Sequence, residues 1–204
     1  SSCIPSSTPS IKGGAELVGC IRMMIERHGA TIDERDAHGR TPLMVALAEA
    51  TSLPLAVANE LLRHDTAAEA CDLDGRCPLM HAAAAAHADA VSTLLSRAAA
   101  QPPPRHLLAE PPTGAPSRVV AVDRFGRSAL MLAAASRCER AVTLLLEAGA
   151  DVQAVDADGK CAILLALIGP AEKAGYTGAA AAGAAAAAND PALPSLLAAL
   201  ATPP

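Results

Sequence analysis

The stretch DAHGRTPLM at residues 36–44 returns as DLDGRCPLM at 72–80, DRFGRSALM at 123–131 and DADGKCAIL at 156–164. A short unit that recurs along a chain cannot bury its own apolar face. It must stack on its neighbours, so the repetition predicts a solenoid. Each copy has the same local logic. Asp-x-x-Gly makes a turn in which the Asp bonds nearby backbone and the Gly tolerates positive φ. Thr41, Cys77, Ser128 or Cys161 then stands where a helix N-cap belongs. Pro42 and Pro78 take the first helical position, where a missing N–H costs nothing. An apolar run at helical spacing follows, always with a small residue five places after the cap: Ala46, Ala82, Ala133 and Ala166. Small side chains there let two helices approach closely.

Downstream of each run comes a second helical pattern carrying a Leu pair, Leu61–Leu62, Leu94–Leu95 and Leu144–Leu145. Burying each such side chain contributes roughly 1.5–3 kcal/mol before entropy is counted. Gly149 is placed as a helix stop after the third pair. Cys20–Ile32 reads as the same second helix and stop, so the repeated part opens with half a unit.

The composition agrees. The chain has 204 residues, 51% of them apolar, with no Trp, one Phe and one Tyr. A core built from Leu, Val, Ile, Met and Ala suits close helix-on-helix packing rather than an aromatic-rich sandwich. A formal charge of −5 argues against broad nucleic-acid binding. The six cysteines are scattered singly, without CxxC pairs or Cys/His sets at zinc spacing, and read as reduced thiols of an intracellular protein. No apolar stretch reads as a membrane span. The chain begins at Ser1 rather than Met, which fits a processed or excised chain. Residues 1–14, Ser-rich and without acidic groups, weakly resemble the tail of a transit peptide.

The fourfold phrase with its two helices resembles the ankyrin repeat family, whose unit is about 33 residues long and whose signature is a turn followed by Thr-Pro-Leu-His-x-Ala. The resemblance covers roughly residues 15–168. It implies an all-α solenoid of stacked antiparallel helix pairs with projecting finger turns. The family's bracing His is here Met44, Met80, Met131 and Leu164, and its Thr survives only as Thr41. This departure leads us to expect an array held by apolar packing, with its polar bracing lost.

The organisation expected is a flexible segment 1–14 and a repeat array 15–170. Within the array a half repeat spans 15–35, and full repeats start at 36, 72, 123 and 156. A Pro-rich insert at about 98–118 contains Leu107 and Leu108 between prolines. An Ala-rich insert at 171–188 contains Tyr176. A capping helix closes the stack at 189–204. Proline at the density of Pro102-Pro103-Pro104 and Pro111-Pro112 forbids regular helix or central strand.

Catalytic chemistry is not visible. No nucleophile elbow or dinucleotide fingerprint occurs, and the phosphate-loop spacing of Gly14 and Gly19 has Cys20 where lysine must be. Asp72-x-Asp74-Gly75 and Asp156-x-Asp158-Gly159 put Gly too early for a calcium loop and read as turns. His81 and His87 fall on different helical faces, and His81 reads as a half-buried side chain with a local partner. The expectation is therefore no cofactor, no metal and no enzyme.

Recognition is expected on the fingers and the inner, concave helical face. Arg40, Arg76, Arg127 and Lys160 recur after the turn glycine, either as solvated scaffold positions or as a basic rail for an acidic partner. His38, Asp74, Phe125 and Asp158 vary at one turn position. Phe125, beside Arg124, is either an interface anchor or tucked under the Pro-rich insert. These residues suggest a non-catalytic adaptor or scaffold for protein partners, without nucleic acid or membrane insertion. The alternatives are a permanent subunit of a large, organellar assembly and the regulatory segment of a longer enzyme. The location expected is cytoplasmic or nuclear, with mitochondrial as the alternative.

Overall fold

A computed structural model describes residues 13–48, 52–64, 70–100, 117–169 and 198–200. Its helices come in two layers. The inner row is α2 (Pro42–Ala48), α4 (Pro78–Ala84), α7 (Ala129–Ala135) and α9 (Ala162–Ile168). The outer row is α1 (Gly13–His28), α3 (Ser52–Arg63), α5 (Ala88–Ala100) and α8 (Glu139–Glu147), and a single turn, α6 (Ser117–Val120), leads into the third finger. Inner helices pack on inner helices, α2 on α4, α4 on α7 and α7 on α9, and each of the first three also packs on the outer helix that follows it. The three-residue connections Ala85–His87 and Ser136–Cys138 force each such pair to run antiparallel. No strand forms among the described residues beyond two isolated bridges, Val122 with Ser128 and Val155 with Cys161.

The core follows the repeated phrase. Ala46, Ala82, Ala133 and Ala166 are all buried, as the close approach of inner helices requires. Met44, Met80 and Met131 fill the slot of the missing His and are fully buried. The caps split by chemistry: Thr41 Oγ1 accepts from the Met44 N–H and Ser128 Oγ from the Met131 N–H, whereas Cys77 and Cys161 make no side-chain cap bond. Burial pushes the Cys77 thiol up from its ordinary value, so it behaves as a small core hydrophobe.

Two expectations need correction. Helix α5 runs on through Ala100 and α6 opens at Ser117, so both margins of the insert expected at 98–118 are helical. Ala98–Ala100 are strong helix formers, and the prolines begin only at Pro102. Leu107, Leu108, Tyr176 and the Ala-rich insert lie outside the described residues. Of the expected capping segment, Ala198–Leu200 is described; it is helical, with Leu200 buried in the core.

The larger correction concerns bracing. Polar ties between repeats are not lost but moved. Ser136 Oγ donates to the Ala83 carbonyl at 2.8 Å, Arg137 Nε to Ala166 at 3.3 Å, and Arg35 to Cys71 at 2.6 Å. Arg97 donates to the Leu62 carbonyl, and Arg22 forms a two-pronged pair with the buried Glu60 at 2.7 and 2.9 Å. The polar contacts between repeats are thus made away from the buried His slot, at backbone carbonyls, at finger carboxylates and at the Arg22–Glu60 pair.

Candidate functional site

Four fingers project from the stack, each built around one carboxylate. Asp36 Oδ1 accepts the His38 and Arg40 N–H groups at 2.8 and 2.9 Å, and Asp72 Oδ1 those of Asp74 and Arg76 at 2.9 and 2.8 Å. Asp123 does the same for Phe125 and Arg127 (2.9 and 3.0 Å), as does Asp156 for Asp158 and Lys160 (3.0 and 2.8 Å). The turn closes through a left-handed glycine, which at Gly126 has φ +74° and also faces the next finger: a Cβ there would lie 3.0 Å from the Ala157 nitrogen. Successive fingers are joined by backbone. The N–H groups of Leu73, Arg124 and Ala157 donate to the carbonyls of His38, Asp74 and Phe125 at 3.0, 2.9 and 2.9 Å. The variable turn residues thus hold the next finger with their carbonyls, which frees their side chains for other contacts.

Side-chain charges add to this ladder unevenly. Arg40 pairs with Asp36 inside the first finger at 2.8 Å, and Lys160 pairs with Asp158 inside the fourth at 3.2 Å. Arg76 reaches across to the third finger and meets Asp123 at 3.2 Å, where Arg127 also binds at 3.0 Å. Both the Asp123 and Arg127 side chains are buried. Burial opposes ionisation of Asp123, but the Arg127 N–H and guanidinium outweigh it and hold the carboxyl below its ordinary value. Asp36 is held down to about 2, chiefly by the Arg40 N–H. The expected basic row is therefore neither a solvated stripe nor a rail of uncompensated cations. Two of its four members are drawn into the joint between fingers two and three, because Asp123 sits where both can reach it.

His81, expected to be half-buried with a local partner, is buried, and its Nε2 lies 3.0 Å from Asp72 Oδ2. Burial outweighs the carboxylate and lowers its pKa. The local partner expected for His81 is Asp72, through which α4 props its own finger.

The tips are different. Arg124 pairs with Asp74 of the preceding finger at 2.8 Å while remaining largely exposed. Phe125 is half-buried, with the Arg124 and Arg127 guanidiniums 4.7 and 4.6 Å from its ring centre. The two guanidiniums clamp the ring; the insert expected to cover it lies outside the described residues. His38 and Asp158 are exposed at the outer tips. Sequence reading missed Leu73, which is 74% exposed on the second finger. Its only signal was an apolar residue at a turn position held elsewhere by Ala37, Arg124 and Ala157.

No group of three metal-ligating side chains comes together among the described residues, and no helix among them is long and apolar enough to cross a membrane. No curated protein was found to match the chain. A family model of ankyrin repeats, three copies long, matches residues 11–106 and 50–156, a span that takes in the half unit and the first three fingers. With the inner and outer helix rows, the finger ladder and this match in hand, the chain belongs to the ankyrin-repeat family, whose arrays generally serve as protein–protein interaction modules.

Proposed function

We propose that the protein is a non-catalytic adaptor or scaffold that binds a protein partner along its finger tips and the adjoining concave face, with fingers two and three as the anchor. The observation that carries this reading is the exposure of Leu73 and Arg124 on neighbouring tips, with Phe125 half-buried against the Arg124 guanidinium. Aromatic, Arg and large apolar side chains on a rigid support are what binding hot spots are made of, and a preformed ladder lowers the ordering cost of association. Arg127 and Arg76 act beneath the surface by fixing the third finger, and His38, Asp158 and Lys160 form the rim. Parallel affinity capture with wild type, a Leu73→Asp/Phe125→Ala variant and an Arg140→Ala variant at an exposed pair on the outer layer tests this. The reading expects partners recovered by wild type and Arg140→Ala to be lost from the fingertip variant. Equal recovery by all three would falsify the fingertip assignment.

A further inference from the structure

The two ends of the inner row reveal how its seam works. Four residues after each cap stand Val45, His81, Leu132 and Leu165; the last three are 8, 3 and 2% exposed, but Val45 is 40% exposed. This position faces the preceding inner helix, and among the described residues α2 has none before it. Pro42 is likewise exposed, while its equivalents Pro78, Ala129 and Ala162 are buried. Next to this open face stands α1, an outer helix with no inner companion among the described residues. Between them lies a largely apolar groove of about 540 Å³, lined by Leu17 and Ile21 of α1, Pro42, Val45 and Ala46 of α2, and Val57 of α3, and also by Glu34, Arg35, Asp36 and Arg40 of the first finger. The groove is the seat of one further inner helix, one period beyond the seam that already joins α2, α4, α7 and α9.

Helix α1 also carries an apolar strip that its contact with α3 does not use. Its Leu17, Met23 and Met24 are 41, 48 and 49% exposed, and Cys20 is exposed among them. Glu16 begins this strip and Arg27 ends it, at i, i+4, i+7 and i+11 through Cys20 and Met23, so one helical face carries all four.

We propose that this N-terminal face binds a second copy of the chain about a two-fold axis, the α1 helix of each copy lying against the open groove of the other. Three observations select this occupant. An inner helix must run antiparallel to its outer companion, and a two-fold axis perpendicular to α1 places the partner α1 in that direction. Antiparallel pairing brings the acidic first turn, Glu16, against the basic last turn, Arg27 and His28, of the other copy, twice over. One contact also covers both the groove and the unused strip, as an isologous interface requires of a single patch.

Sedimentation equilibrium of the 204-residue chain, from about 1 to 100 µM, tests the proposal. A dimer is expected. Leu17→Glu/Met24→Glu should abolish it. Glu16→Lys and Arg27→Glu, both exposed and compatible with folding, should each raise Kd roughly three- to tenfold, and the two together should restore it. A monomer at every concentration overturns the proposal and leaves the groove to residues 1–12 or to a different polypeptide. A dimer indifferent to both sets of substitutions overturns it as well. If Leu17→Glu/Met24→Glu fails to fold by circular dichroism, the charge swap decides.

Discussion

The first finger and the joint between the second and third fingers are written with the same phrase, yet they are held in different ways. In the first, Asp36 and Arg40 close their turn at the surface, with each side chain about one-third exposed (35% and 35%). In the joint, Asp123 is sealed from solvent and takes Arg127 from its own finger and Arg76 from the finger before. Water competes for the first pair and is excluded from the second. An exposed ion pair in water contributes little, whereas a buried carboxylate between two guanidiniums cannot lose a partner without leaving a charge stranded. The difference teaches that the repeated Asp is one turn-forming device with two mechanical weights. Its place in the stack sets which weight applies.

Four measurements break or sharpen that contrast. The largest effect should come from Asp123→Asn, which strands the buried Arg127 guanidinium and takes a partner from the partly exposed Arg76, and should destabilise the fold by about 3 kcal/mol in urea titration. Asp36→Asn in the exposed finger should shift the midpoint far less, and equal losses would erase the distinction. Next, Gly126→Ala should cost about 2 kcal/mol, because a left-handed alanine would also press on the Ala157 nitrogen at 3.0 Å. Gly159→Ala shares the positive φ but meets nothing within 4 Å, and should cost about 1 kcal/mol.

Arg76→Gln should cost about 1–2 kcal/mol through the inter-finger tie, with a weaker response to salt than Arg40→Gln at the exposed pair. An equal salt response at both sites would place Arg76 in solvent. The smallest effect is read in acid. Asp123 and Asp36 have folded pKa values below the ordinary 3.8. Their contribution is therefore present above that value and lost as pH falls through the folded pKa, because the unfolded chain binds protons first. Stability should fall with acidity below about pH 4. The Asp123→Asn variant should show the shallower slope, and parallel slopes would show that Asp123 does not titrate abnormally.

Much of this was legible in the chain. Asp-x-x-Gly, the cap, Pro at the first helical position and the Ala five residues later are local rules, and each formed the turn or helix it predicted. The Leu pairs marked the outer row for the same reason, since helical periodicity is carried by consecutive residues. The bracing was not legible. Arg35, Arg97, Ser136 and Arg137 bind carbonyls of neighbouring repeats, and no periodic pattern announces a side chain that reaches a backbone carbonyl some thirty to fifty residues away. Phe125 was visible as an anomaly, but its clamp between two guanidiniums depended on how Asp74 and Asp123 hold Arg124 and Arg127. Leu73 was hidden because a leucine in an apolar-rich chain attracts no notice until its exposure is known.

The sequence by itself determined the unit, its order and its stacking, because turn chemistry, capping and helical spacing act between residues a few positions apart. Only the tertiary structure decided which of four equivalent aspartates are buried, which arginines become struts rather than surface charges, and which end of the inner row stays open. Those outcomes depend on solvent exclusion and on contacts between distant repeats. The same Asp or Val therefore takes a different role at the middle of the stack than at its end.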